Sequence, residues 1–250
     1  MRPLAWAVGL TVLGSLGGIF VASALLLLNN RIRDRIVPWL VSYAVGTLLA
    51  VALLVLLPEA LAHLSARRVL GSLLAGIMLF FLLEKLVLWR HCHTHNCEVH
   101  GLAAPMVLIG DGFHNFLDGV VIGTAVLTSI PLGVSTALAI ATHEIPQELG
   151  DIAILLHSGY SRRKALLLNI VSGLSAIAGA SMAIAALDWL PALNQYILAV
   201  SAASFLYIAM ADLIPDLHRG RIDSTTFRQL GLALAGIATI VMLTAVVGGD

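Results

Sequence analysis

Charge is what this 250-residue chain has least of: only 11% of its residues are Asp, Glu, Lys or Arg, against 59% hydrophobic. Soluble domains carry roughly 25% charged residues. With a mean hydropathy of +0.97, the composition excludes a soluble domain and predicts an integral membrane protein. The net charge of zero leaves no excess of basic groups to hold a nucleic acid. Cysteine is equally scarce. Cys92 and Cys97 are too few and too close for a disulfide framework, which leaves metal ligands or spectators. No cleavable leader is expected, because the first apolar run, 4–28, exceeds the roughly 7–15-residue core of a signal peptide and leads into further runs. A serine nucleophile elbow and a phosphate loop are also missing from the pattern.

Long apolar runs are what the chain does have. A hydrocarbon core of about 30 Å needs about 20 apolar residues per helix. Such runs fall at approximately 4–28, 37–57, 69–89, 104–127, 131–157, 165–187, 193–213 and 227–247. They are continuous rather than alternating, which excludes a strand-built barrel. The expected fold class is an all-α integral membrane protein of eight transmembrane helices, a single transmembrane domain over 1–250. A cytoplasmic His/Cys-rich loop occupies 90–102.

Lys and Arg in short loops set the orientation. With the N-terminus outside, Arg31, Arg33, Arg35, Lys85, Arg90, Arg162, Arg163, Lys164, Arg219, Arg221 and Arg228 fall at inner ends. Only Arg2, Arg67 and Arg68 fall outside. Both termini are therefore expected on the extracellular or periplasmic side. "LLPEALAH" closes the second run and "LIPDLH" the seventh, in helices that cross in opposite directions. That correspondence suggests an inverted 3+2+3 arrangement, with helices four and five between two three-helix repeats.

Those two middle helices carry ionisable residues where lipid disfavours them. His114 lies ten residues into run four and His143 twelve into run five. At 1.5 Å per residue these are about 15 and 18 Å deep, the same level reached from opposite sides. Each such group costs about 2.5–3.5 kcal/mol at the bilayer centre, so a function is the default reading. Asp111, His114, Asn115 and Asp118 follow i, i+3, i+4, i+7, one helical face. His143, Gln147 and Asp151 follow i, i+4, i+8, with Glu144 and Glu148 on the adjoining stripe. Pro146 cannot donate to the Thr142 carbonyl, which frees an oxygen and should bend the helix there. A lone intramembrane histidine would be explained by a hydrogen bond to a neighbouring helix. Two facing stripes at one depth instead make a mixed nitrogen and oxygen site suited to Zn²⁺, and also to Fe²⁺, Mn²⁺ or Cd²⁺.

"HNFLDG" (from His114) and "HEIPQELGD" (from His143) resemble the HN-x-x-[D/E]-G and HE-x-P-H-E-x-G-D motifs of the ZIP family of divalent-metal transporters. "FFLLEK" and "FLYIAMADLIPD" are similar to the same branch. The resemblance implies eight helices, outward termini and a homodimer moving a divalent metal ion into the cytoplasm. It also implies a principal site of His114, Asp118, His143 and Gln147, with Asn115 and Glu144 toward an adjacent one. Gln147 departs from the family's His or Glu, and Ala176 stands where some members carry a second glutamate. Both departures point to one principal metal rather than a tight pair.

Other polar groups are candidates for the metal pathway. Asp111, Glu148 and Asp151 continue the central stripes; Glu59 and His63 mark the outer end of helix two, and Asp212 and Asp216 the inner end of helix seven. Helix-end groups that merely meet interfacial water fit the last four equally well. The loop "HCHTHNCEVH" offers His91, Cys92, His93, His95, Cys97 and His100, either as ligands receiving metal or as a plain solvated segment. The short loops suit a bacterial inner membrane. The competing reading is an intramembrane metal-dependent hydrolase, since His143-Glu144 opens an H-E-x-x-H-like string. Gln147 removes the second imidazole and Pro146 interrupts the helix, so no enzyme activity is expected.

Overall fold

The computed structural model describes residues 2–89, 103–217 and 224–247. Every regular element among them is helical, as lipid demands of a chain whose backbone must be satisfied internally. We number the eight spans in chain order. Span α1 joins Arg2–Thr11, a π-helical segment Val12–Leu16, and Gly17–Leu25. Span α2 joins Asn30–Ala50, a π segment Val51–Leu56, and Leu57–His63. The next four are uninterrupted: α3 (Ala66–Trp89), α4 (Ala103–Thr128), α5 (Ile130–His157) and α6 (Arg162–Trp189). Span α7 runs through a 3₁₀ turn Pro191–Leu193, Asn194–Tyr207, a π segment Ile208–Leu213 and Ile214–Leu217, and α8 is Ser224–Val247.

Among the described residues, six spans are long and apolar enough to cross a membrane. The other two, α4 and α5, have the length at 26 and 28 residues but carry the polar stripes. Side chains fix the boundaries. Asn29, Ser129 and Ser161 each accept a hydrogen bond from the backbone N–H three residues on, capping α2, α5 and α6. Helix α5 ends in a Schellman motif: Tyr160 N–H reaches the Leu155 carbonyl, Gly159 N–H that of Leu156, and Gly159 takes φ +87°. Glycine alone adopts that angle without strain, and it turns the chain directly into α6. Helix α5 stays helical through Pro146. The π segments of α2 and α7 each end two residues before a proline, Pro58 and Pro215. A proline ring crowds the carbonyl four residues back and removes its donor, so a wider preceding turn is the natural relief.

Packing sorts the spans into two groups. Helix α4 lies along α6 and α5, with α1 against all three; α2 lies along α8, and α3 along α7. Helix α5 joins the groups, because it also packs against α2 and α8. Backbones approach most closely where glycine permits. A Cβ on Gly46 would strike the Ala233 carbonyl on the α2–α8 seam, and one on Gly119 the Ala176 carbonyl on the α4–α6 seam. In α1, Gly14 and Gly18 face α5 at close range, whereas Gly17 has open space.

Candidate metal centre

Helix α4 places His114 and Asp118 one turn apart, and α5 supplies the consecutive pair His143 and Glu144. Their donor atoms all lie within 4.8 Å of one another. The two Nε2 atoms are 3.2 Å apart. His143 Nε2 is 3.3 Å from Asp118 Oδ2 and 3.6 Å from Glu144 Oε1. His114 Nε2 is 3.7 and 3.5 Å from the same two oxygens. Asp118, His143 and Glu144 are buried, and His114 is half-buried at the rim.

The donor atoms are left bare on the side that matters. His143 Nδ1 faces the Ala139 carbonyl at 3.2 Å. A proton on Nδ1 satisfies that carbonyl and leaves the Nε2 lone pair directed at the cluster. Both oxygens of Asp118 and both of Glu144 are buried without a hydrogen bond. Two buried carboxylates with no Lys or Arg beside them among the described residues are costly unless a cation joins them. A tetrahedral zinc about 2.0–2.2 Å from nitrogen and oxygen donors sets neighbouring donors about 3.3–3.6 Å apart. Five of the six donor separations, 3.2 to 3.7 Å, lie close to that edge. The arrangement therefore suits one small divalent ion with a two-nitrogen, two-oxygen donor set and no net charge left over.

Residues that the sequence does not mark as ligands also shape this pocket. Phe205 of α7, fully buried, meets the His143 ring edge-on at 6.2 Å between centroids. Gly18 of α1 backs onto Glu144, where an added Cβ would come within 2.9 Å of the Glu144 Cβ. Thr142, beside His143, shares a 2.7 Å hydrogen bond with Thr47 of α2. Hydroxyls and phenyl rings inside apolar runs carry no periodic mark, so only packing reveals them.

Asn115 stands next to the four in a separate network. It accepts a 2.8 Å hydrogen bond from Ser15 of α1 and donates at 2.8 Å to Asp111 Oδ1. Glu148 accepts at 2.7 Å from Asn169 of α6. Asp111 Oδ2, Glu148 Oε1 and Asn169 Oδ1 are buried without a partner. Gln147 and Asp151 are half-buried further along α5. Glu59 and His63 pair locally at 3.6 Å, far along α2 from this cluster. Asp212 is exposed and engaged in an interaction of its own. The side chain of Asp216 and the loop residues His91, Cys92, His93, His95, Cys97 and His100 lie outside the described residues.

Comparison with known proteins gives an independent line. The model of a family described as "ZIP Zinc transporter" matches residues 89–244. The chain is 41% identical over 128 residues to "Zinc transporter ZIP10" of Danio rerio, covering 51% of this chain and 15% of that protein. It is 45% identical over 116 residues to human "Zinc transporter ZIP4", covering 46% of this chain and 18% of that protein. It is 36% identical over 153 residues to "Zinc transporter foi" of Drosophila melanogaster, covering 61% of this chain and 22% of that protein. The match thus spans between 15% and 22% of these relatives' own length.

Proposed function

The chain belongs to the ZIP zinc transporter family, and from that premise we propose that it carries divalent transition-metal ions, zinc foremost, across a membrane into the cytoplasm. Its family is one of transporters, and the chain is not an enzyme. The observation that carries the reading is the convergence of His114, Asp118, His143 and Glu144 within 4.8 Å inside two membrane-length helices. Metal sheds water onto these donors, with Gln147 and Asn115 flanking them. A His/carboxylate set binds tightly enough to replace hydration, yet releases the ion more readily than thiolates would. Fe²⁺, Mn²⁺ and Cd²⁺ share enough of that chemistry to be alternative cargo.

Movement follows from the packing. The group α1, α4, α5 and α6 carries the donors, and α2, α3, α7 and α8 form the frame, with Phe205 and Thr47 at the seam. Shifting one group against the other opens the site to either side in turn. Two features support the inverted 3+2+3 reading. The π segments of α2 and α7 precede Pro-Glu and Pro-Asp at the same offset. Exchanging α1–α3 with α6–α8 also turns the α3–α7 pairing into α8–α2, and both pairings occur. Asp111, Glu148 and Asp151 line the inward path, Glu59 and His63 the entrance, Asp212 and Asp216 the exit, and the 90–102 loop receives the ion. The chain works as a homodimer with both termini outside, in a bacterial inner membrane.

The test is zinc-65 uptake into proteoliposomes. His143→Ala abolishes uptake while the protein still elutes as a monodisperse peak; undiminished uptake by that variant would remove the site assignment.

A further inference from the structure

One cleft has no part in the metal site. It has a volume of about 540 Å³, is lined by α1, α6 and Ile152 of α5, and is almost wholly apolar. Helix α6 contributes Arg162, Leu166 and Ile170, spaced i, i+4, i+8 on one face. Helix α1 contributes a stripe from Leu16 through Phe20 to Ala24, and the turn after it adds Leu26 and Leu27. At 1.5 Å per residue each helical stripe runs about 12 Å, close to half of a 30 Å hydrocarbon core and so to the depth of one leaflet. Phe20 and Leu27 are 76% and 78% exposed, so the cleft opens sideways, toward lipid.

Its polar end carries charge of one sign. Behind the Ser161 cap, α6 begins Arg162-Arg163-Lys164, all exposed, and Arg162 itself lines the cleft. Lys164 lies over the Tyr160 ring at 4.6 Å. Neither Arg162 nor Arg163 faces an acidic partner among the described residues. Arg31, in the first turn of α2, is also exposed. A helix N-terminus is the positive end of the backbone dipole, where cations are disfavoured and anions held. Three successive cations there gain from an anion that also has an apolar tail to lay in the groove.

We propose that this cleft binds an anionic glycerophospholipid of the inner leaflet, one acyl chain between α1 and α6 and the phosphate at Arg162 and Arg163. Basic pockets between helices at the cytoplasmic face have the chemistry for acidic head groups. A zwitterionic lipid offers the same chain without the net charge. The bound chain braces α1 from outside, opposite the face where Ser15 holds Asn115 and Gly18 backs onto Glu144.

Native mass spectrometry of the full chain in detergent, titrated with dioleoylphosphatidylglycerol or dioleoylphosphatidylcholine, tests this. Phosphatidylglycerol is retained preferentially by the wild-type protein. Arg162→Gln and Arg163→Gln each reduce that preference about fivefold, from the ~1 kcal/mol expected per basic group at an anionic surface. Leu166→Trp fills the groove and lowers retention of both lipids. Equal retention of the two lipids by wild-type protein overturns the proposal. So does an unchanged preference in the double arginine variant, or a shift in oligomeric mass in place of lost lipid, which would make the occupant a second copy of the chain.

Discussion

The Nε2 atoms of His114 and His143 stand 3.2 Å apart, one at the rim of the metal centre and one fully inside it. Each imidazole binds a metal only through a neutral nitrogen, so protons compete directly with the ion. Acidification therefore weakens binding, and because two imidazoles are involved the fall is steeper than for a single ligand. Zinc affinity measured by calorimetric titration across pH should lose about two orders of magnitude per pH unit where both rings must shed a proton. In a variant with one of the two replaced by Ala, the limiting slope drops to about one order. An affinity flat between neutral and acid pH would show that these rings do not hold the ion.

Asp118 contributes charge as well as an oxygen. Asp118→Asn keeps the shape and removes the charge, leaving Glu144 alone to balance a divalent ion. Removing one member of a buried charge set costs about 3–5 kcal/mol, so zinc affinity should fall by at least about a hundredfold. Zinc-65 binding to the purified variant measures it, and wild-type affinity would mean that the carboxylate faces elsewhere when metal is bound.

Ser15 makes the opposite kind of prediction. Its hydroxyl satisfies the buried Asn115 oxygen, and Asn115 in turn holds Asp111. Ser15→Ala leaves that oxygen without a donor, at about 1–3 kcal/mol. Ser15 hydrogen-bonds none of the four donors, so its loss reaches the metal only through the neighbouring network. Thermal unfolding should therefore shift clearly, while zinc affinity changes less than in Asp118→Asn. A larger loss of affinity than in Asp118→Asn would make Asn115 a direct ligand whose oxygen Ser15 aims.

Much of this was written in the sequence, for a physical reason. Continuous apolar runs leave no choice but helices, and a four-residue gap on a helix puts His114 and Asp118 on one face whatever surrounds them. His143 and Glu144 are different. Consecutive residues diverge by about 100° around a helix axis, so periodicity assigns them to neighbouring stripes. Only the way α4 crosses α5, with Gly18 of α1 giving Glu144 its room, brings a Glu144 oxygen to the point where the rings meet. Gln147, favoured by the i, i+4 rule, stands half-buried one turn on. Ser15 and Asn169 could not be picked out at all, and Phe205 stood in the "FLYIAMADLIPD" stretch without a role, because their partners are distant in sequence. The π segments were equally hidden: a proline announces a disturbed turn without saying that the helix will widen rather than break.

Gly119 tests whether the α4–α6 seam holds the site in shape. A Cβ at this position would strike the Ala176 carbonyl, and one on Gly179 would strike that of Phe116. The obstacles are backbone on both sides, so neither helix relieves them by changing a rotamer. Gly119→Ala must push α4 from α6, at about 1–3 kcal/mol or more for an overpacked core. Asp118 is the preceding residue and moves with the backbone, so its oxygen leaves the 3.3 Å position beside His143. The variant should unfold at lower temperature in detergent and bind zinc more weakly. Gly9→Ala is the control, because nothing lies within 4 Å of its added Cβ and alanine favours a helix. It should leave both measurements unchanged or raise the unfolding temperature slightly. If Gly119→Ala matched the wild-type protein in both, the two helices would have to be further apart than backbone contact, and the metal centre would owe nothing to that seam.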